Sequence, residues 1–356
     1  MAEIQEIQQL APDFRIKING SELPSEAAAD VIAVQVTEDV DAASMFTIRM
    51  VNWDDTALSI TWSDDALLAE GSEVEIEMGY LDNTEKLIGA EITGLEPEFC
   101  IDNAPMLTVR GYDRRHRLSR GRYTRSFTQV KDSDIASTIA SEVGLSAEVE
   151  DTGVTLDYVL QHNQTDLEFL RDRARRHGYE VVVEDKILRF RARQHTTGEA
   201  LTLTYENDIL EFYPCLSTMG QVGKIAVRGW NPKDKAALVS EVAAGDESTT
   251  MGGSQSGPQA AEGAFKPSPM AIVDRPVFSQ AEADGMAQGR FDEMALAYIS
   301  GEGVCVGRTD MRAGTVIDMQ GLGERFSGLY YLTSVTHNYS PSRGYRTAFS
   351  VRRNAT

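Results

Sequence analysis

The residues in this sequence whose types and spacing could do chemistry begin with two acid pairs set beside tryptophans. Asp54-Asp55 follows Trp53, and Asp64-Asp65 lies two residues beyond Trp62. An aromatic ring next to carboxylates is the makings of a sugar cleft, and paired carboxylates are what a glycosidase needs. Both pairs fall in turn-like stretches, where acids facing water are the plainer reading. Five histidines follow, His116, His162, His177, His195 and His337. None stands four residues from another and none neighbours a cysteine, so no metal or catalytic set is read from them. Cys100, Cys215 and Cys305 are scattered and form no C-x-x-C. That argues against a disulfide framework and a zinc site, and predicts three buried thiols acting as small hydrophobes.

The phosphate-loop, nucleophile-elbow, H-E-x-x-H and EF-hand patterns are missing from the sequence. Gly321-Leu322-Gly323 precedes a β segment, which makes it a turn. No catalytic, cofactor-binding or metal-binding residue is therefore nominated, no cofactor is expected, and the chain is not expected to be an enzyme.

Charge is the next signal. Seven arginines crowd residues 110–125 (110, 114, 115, 117, 120, 122 and 125), and Arg171, Arg173, Arg175 and Arg176 form a second group. A nucleic-acid surface needs a broadly basic domain. Here residues 101–200 hold 16 acids and 16 bases, so local carboxylates can neutralise the arginines. Contact between subunits is the reading preferred, because arginine is enriched in interfaces. The net charge of −21 sits almost wholly in residues 1–100, with 22 acids against 4 bases. Such a segment repels nucleic acid. Solvation is its plain role.

The elements that must position these residues are mostly strands. Phe14–Ile18, Val31–Val36, Met45–Val51, Val74–Met78, Lys86–Leu95 and Met106–Tyr112 alternate with period two, separated by turn residues, the pattern of a barrel or sandwich. Near Asp132 the texture changes. Ser133 is read as the cap of a helix from Asp134 to about Val143. Thr165-Asp166-Leu167-Glu168 is a capping box for a second helix that ends at Gly178. Strands Tyr179–Val183 and Ile187–Arg191 complete a compact α/β insertion. Strands return at Leu201–Tyr205 and Lys224–Trp230. Residues 240–270, rich in Gly, Ser, Ala and Pro, are expected to be a flexible loop. Ser279-Gln280-Ala281-Glu282 opens a helix to about Ile299. Thr315–Met319, Leu329–Thr336 and Tyr345–Val351 are the final strands. An internal echo pairs Val109–Asp113 with Val227–Asn231. A looser one pairs Lys86–Gly89 with Arg325–Gly328, each with a threonine a few residues on, Thr93 and Thr333. Both suggest two related barrels separated by an insertion.

Asp166-Leu167-Glu168-Phe169-Leu170, then Ala174 and Gly178-Tyr179, resembles the phage late control protein D family. That family is related to the N-terminal half of VgrG proteins of type VI secretion and to baseplate hubs of contractile tails. Val109–Asp113 leading into a basic stretch, Asp132–Ala136 with Gly144-Leu145, and Ser327–Tyr330 with Val335, His337 and Gly344-Tyr345 extend the likeness over residues 10–353. The resemblance implies a mainly β chain with an α+β insertion: two tube-like β-barrel domains plus small α/β domains. Residues 1–126 would be the first barrel and 127–195 the inserted domain. Residues 196–239 would be strands completing the first barrel or linking to the second, 240–270 the loop, and 271–356 a helix with the second barrel.

Three such chains would form a ring of six barrels, adapting a sixfold tail tube to a threefold spike. Ring closure would also cover open strand edges, and the acidic segment could line the lumen. The expected protein is a homotrimeric, virion-structural baseplate hub of a phage or other contractile injection system. It would be made in the host cytoplasm and located in the tail baseplate. Its partners would be the tail tube protein, a separate spike protein (no β-helix repeats follow Thr356), other baseplate components and the tape-measure protein. Sequence-specific nucleic-acid binding and stable membrane insertion are not expected. The alternative is a hub-associated peptidoglycan-binding or peptidoglycan-hydrolysing tail protein, its insertion a LysM-like unit.

Overall fold

The computed structural model describes residues 11–81, 83–193, 201–231 and 234–356. The N-terminal part holds β1 (Pro12–Ile18), β2 (Ser21–Glu22), helix α1 (Ser25–Asp30), β3 (Val31–Asp39), β4 (Met45–Val51), β5 (Trp53–Asp54), β6 (Ser59–Ile60), β7 (Glu73–Tyr80), β8 (Asn83–Glu98) and β9 (Met106–Asp113). The insertion holds β10 (Tyr123–Val130), α2 (Asp132–Glu142), β11 (Ser146–Val149), β12 (Leu156–Gln164), α3 (Asp166–Arg175), β13 (Tyr179–Glu184) and β14 (Ile187–Ala192). Then come β15 (Leu201–Thr204), β16 (Ile209–Leu216), β17 (Lys224–Asn231), β18 (Ala236–Ala243), α4 (Gly257–Ala264), β19 (Pro269–Ile272) and α5 (Gln280–Ala295). The chain closes with β20 (Ile299–Val306), β21 (Val316–Gln320), α6 (Gly323–Phe326), β22 (Gly328–Ser340) and β23 (Gly344–Arg353).

The fold is mainly β with an α+β insertion. Its spine is one thirteen-stranded sheet in the order β16-β20-β23-β22-β3-β4-β9-β8-β7-β1-β2, with β21 also on β22 and β15 on β21. The alternation read in the sequence builds it. In β7, Val74, Ile76 and Met78 point into the core while Glu73, Glu75 and Glu77 point out. Each half of the sheet wraps its own core. Phe46, Ile76, Met78 and Leu107 fill the first, and Leu203, Met319, Tyr330 and Phe349 fill the second. The halves meet at an antiparallel seam between β3 and β22, from Ser334 opposite Asp39 to Tyr339 opposite Val34. Beyond it the first half curls back. Phe14 on β1 packs on Tyr339 with ring centroids 4.8 Å apart, and Tyr80 on Tyr345 at 5.6 Å.

The looser echo marks a correspondence only in its threonines, because Lys86–Gly89 lies inside β8 whereas Arg325 and Phe326 lie in α6 and Gly328 opens β22. In the β8–β9 pair the register slips between Ile92 and Gly94, leaving Thr93 as an extra residue. In the β22–β23 pair it slips between Leu332 and Ser334, leaving Thr333. Both threonines are the bulge residues of a long hairpin, one in each half, where a bulge bends the sheet around its core. The tighter echo does not. Val109–Asp113 lies in the main sheet, but Val227–Asn231 lies in a separate sheet, β18-β17-β19, covered by α5. Gly111 is required for a local reason. A Cβ there would lie 2.3 Å from both the Phe46 ring and the Glu91 carbonyl oxygen.

Several expectations need correction. Residues 240–270 are not a loop throughout: they finish β18, carry α4 and begin β19. The Ser256 hydroxyl accepts from Gln259 N–H, and the Gln259 side chain accepts from Ser256 N–H, a capping box inside the Gly-rich run. The 196–239 strands do not complete the first half. β15 and β16 pair with β21 and β20 in the second, and β17 and β18 form the separate sheet. Helix α2 starts at Asp132, and the Asp134 carboxylate accepts from Lys131 N–H, so Ser133 is not its cap. Helix α5 stops at Ala295, because Ile299 already begins β20.

The Thr165 box forms as read. Glu168 N–H donates to Thr165 Oγ1 at 3.1 Å, and Thr165 N–H to Glu168 Oε2 at 3.0 Å. Thr165→Ala is expected to cost about 1 kcal/mol, read by chemical unfolding.

Candidate functional site

The surface with the most distinctive build is the outer face of the main sheet across the seam. Side chains that alternate away from the two cores form one field there. Thr37 of β3 faces Thr336 of β22, and their hydroxyls hydrogen-bond at 3.2 Å across the seam. Gln35 lies between Asn338 and Thr47, and Thr47 lies opposite Arg110. On the other side, Thr336 faces Ala348, Ala348 faces Val304, and Val304 faces Glu211. Two troughs of about 700 and 410 Å³ run along this field, lined only by residues of strands and their turns. The charged lining residues include Arg49, Arg110, Arg343 and Arg346 against Glu211 and Glu302. Arg110 pairs with Glu96 at 3.1 Å, and Arg49 with Glu98 at 3.3 Å. Short hydroxyls and charges of both signs, with Arg110 and Arg49 paired to glutamates, line these troughs beside small apolar residues, with no convergent nucleophile, base or oxyanion donor.

Glu96 and Glu98, from the acidic first hundred residues, border this wall paired with its arginines. Glu75 and Glu77 of β7 pair instead with Lys17, and Glu75 also with Lys86. The acid–tryptophan clusters are structural. Trp62 is buried in the first core, and its indole N–H donates to Asp30 at 2.7 Å. Asp54 accepts from Thr56 and Ala57 N–H groups, which hold its carboxyl below the usual range, and Asp65 accepts from Leu67 N–H.

The histidines stay apart, and His195 lies outside the described residues. His337 is fully buried in the second half. One ring nitrogen lies 2.8 Å from Tyr345 Oη and the other 3.2 Å from the Met311 carbonyl. Burial lowers its pKa to about 3. Among the described residues no group of three or more His, Cys, Asp or Glu side chains is placed to hold a metal ion. Of the three thiols only Cys305 is buried, and burial pushes it up to about 12. Cys100 and Cys215 are exposed, contrary to expectation. Cys100 lies in the β8–β9 connection and Cys215 on the outward side of edge strand β16.

The arginine clusters also need correction. Most of them make contacts within the chain. Arg114, 3% exposed, reaches Glu73, Glu91 and Asp185 at 2.7, 3.5 and 2.6 Å. Arg115 donates to the Asp39 and Val40 carbonyls, and Arg117 holds Glu91 and the Val143 carbonyl. Arg125 bridges Glu142 and Asp166. In the second cluster, Arg173 and His177 share Asp132. Burial opposes the charge of Asp132, but these two partners outweigh it and hold the carboxyl below its ordinary pKa. Arg176 donates to Glu282 of α5 at 2.6 Å. The acidic first segment does supply partners for the first cluster, as charge suggested, but in the same chain.

Where that insertion meets α5, backbone touches backbone. A Cβ on Gly289 would lie 2.9 Å from Gly178 Cα. Gly289→Val is therefore expected to push the α3–β13 turn off α5. It would lower the melting temperature and speed protease cleavage near residue 178.

Residues 8–341 match the Alg8 N-terminal domain family, and the chain belongs to that family. No curated protein sequence matches it. Its fold is that of solved tail proteins. It is similar to the 43 kDa tail protein of prophage MuSo2 from Shewanella oneidensis (TM-score 0.73, 14% identity, 96% of this chain and 98% of that one). It is likewise similar to a tail protein from Neisseria meningitidis MC58 (TM-score 0.70, 11% identity, 96% and 97%). An E. coli component of the type VI secretion system follows (TM-score 0.61, 15% identity, 96% and 77%).

Proposed function

We propose that the chain is a structural, non-enzymatic hub of a phage or phage-like contractile tail, of the late control protein D and VgrG type. Three copies would form a ring between a sixfold tail tube and a threefold spike. The observation that carries this reading is the doubled sheet. Two half-sheets, each with its own core and its own bulged hairpin, are joined edge to edge by the β3–β22 seam. A chain with two such halves presents six in a trimer, which is what a threefold-to-sixfold adaptor requires. The hydrophilic troughs would then face the channel. A wall of short hydroxyls and charges of both signs would let a polymer slide without holding it. On this reading the tube, spike, tape-measure and other baseplate proteins are its partners, and the tail baseplate is its place.

Light scattering on the purified protein, alone and with the spike protein of the same tail, tests the proposal. A trimer in either condition is the expected result. A monomer in both, with binding or cleavage of peptidoglycan, would replace the hub with the cell-wall reading.

A further inference from the structure

We infer that the insertion is an arm that pivots on α5 and is latched to the first half-sheet by exposed ion pairs, so that ionic strength sets whether it is docked. Three observations carry this.

First, the insertion keeps its core to itself. Of the residues in that buried cluster, only Leu118 comes from outside 123–193. Apolar burial, the usual reason a domain stays docked, is therefore slight.

Second, the ionic contacts divide into two kinds. On the sheet side Asp185 meets Arg114, Lys186 meets Glu73 at 3.4 Å, and Arg171 meets Asp41 at 3.0 Å. Asp185, Lys186, Glu73 and Asp41 are all more than half exposed and Arg171 is 31% exposed; Arg114 is buried, but it keeps Glu73 and Glu91 when Asp185 leaves. Between such groups salt screens strongly, with a Debye length of about 10 Å at 0.1 M and about 3 Å at 1 M. On the α5 side the contact is protected. Glu282, 2% exposed, takes Arg176, and Gly178 lies against Gly289. The first set is a latch and the second a pivot.

Third, a cavity of about 560 Å³ lies beside the latch, lined by Glu38, Asp39, Arg115, Glu180, Asp185 and Arg312 among others. Arg115 Nε and Arg312 Nε are buried without a hydrogen-bond partner. Polar atoms in such a space draw in water. The joint is thus a wet, charged gap that can widen at little cost in apolar burial.

The test uses the full chain with Cys100→Ser and Cys215→Ser, and spin labels on Glu85→Cys and Glu184→Cys. Distances between the labels are measured from 50 mM to 1 M NaCl. The expected result is a longer-distance population that grows with salt. It should be present already at low salt when Asp185→Asn, Lys186→Gln and Arg171→Gln are added. Far-UV circular dichroism should be unchanged throughout. A single distance at every salt concentration, in both proteins, overturns the inference. So does lengthening that comes only with loss of the circular dichroism signal, because that would be global unfolding.

Discussion

Replacing Arg114 with alanine is expected to destabilise the protein by about 3 kcal/mol or more. Arg114 is buried yet faces three carboxylates from three places: Glu73 on β7, Glu91 on β8 and Asp185 in the insertion. Its side chain is the main reason that Glu73 titrates below the usual carboxylate range. Without the guanidinium, Glu91 keeps Arg117 but loses its second cation while still buried. Arg114→Lys should recover only part of the loss, because a single ammonium cannot fork to three acids. Arg122→Ala is the control. Arg122 is half exposed and its pair with Glu168 is at the surface, so the change should cost less than about 1 kcal/mol. Chemical unfolding of the three variants against the parent measures the series. Equal effects for Arg114→Ala and Arg122→Ala would remove the buried clamp from the account.

The second large effect is acid lability from His337. Its folded pKa of about 3 lies below the ordinary value of 6.5, because burial disfavours the imidazolium and Arg312 adds to it. The unfolded chain therefore takes up a proton that the folded chain refuses. The sign follows: stability is unaffected above about pH 6.5 and falls as pH drops toward about 3. The slope from this one group is at most about 1.4 kcal/mol per pH unit. His337→Gln should be less stable at pH 7.5, having lost a fitted ring between Tyr345 and Met311. Its stability should fall less steeply with acid, so the gap to the parent narrows between pH 6.5 and 4. Carboxylates elsewhere add their own slopes, but these cancel in the difference between the two proteins. Parallel pH profiles would mean that His337 is solvated or charged in the fold.

What could be read in the sequence and what could not divides along the range of the interactions. Alternation in β7 and the Thr165–Glu168 box depend on neighbours a few residues away, and both were legible. The Ser256–Gln259 box obeys the same rule. It was hidden because the surrounding Gly, Ser and Pro suggested a loop, and only the contact of α4 with the rest of the chain decides otherwise. The ribbon β10–β12 escaped because its exposed positions carry Tyr123, Tyr158 and Leu160, which blur the apolar–polar alternation. The seam between Thr37 and Thr336 joins residues 299 apart, beyond any local pattern. The arginines were visible as a group, but which of them would be buried against which acid depends on that long-range closure. The polar wall was invisible for the same reason, since its residues come from six or more strands that only the sheet order brings together.

The most direct test of the hub is negative-stain imaging of the protein assembled with the spike protein of its tail. Class averages viewed down the axis should show a ring of six lobes around an open channel, in threefold-related pairs. Single particles of one chain, or a ring whose lobe number is not a multiple of the two halves in each chain, would contradict the account.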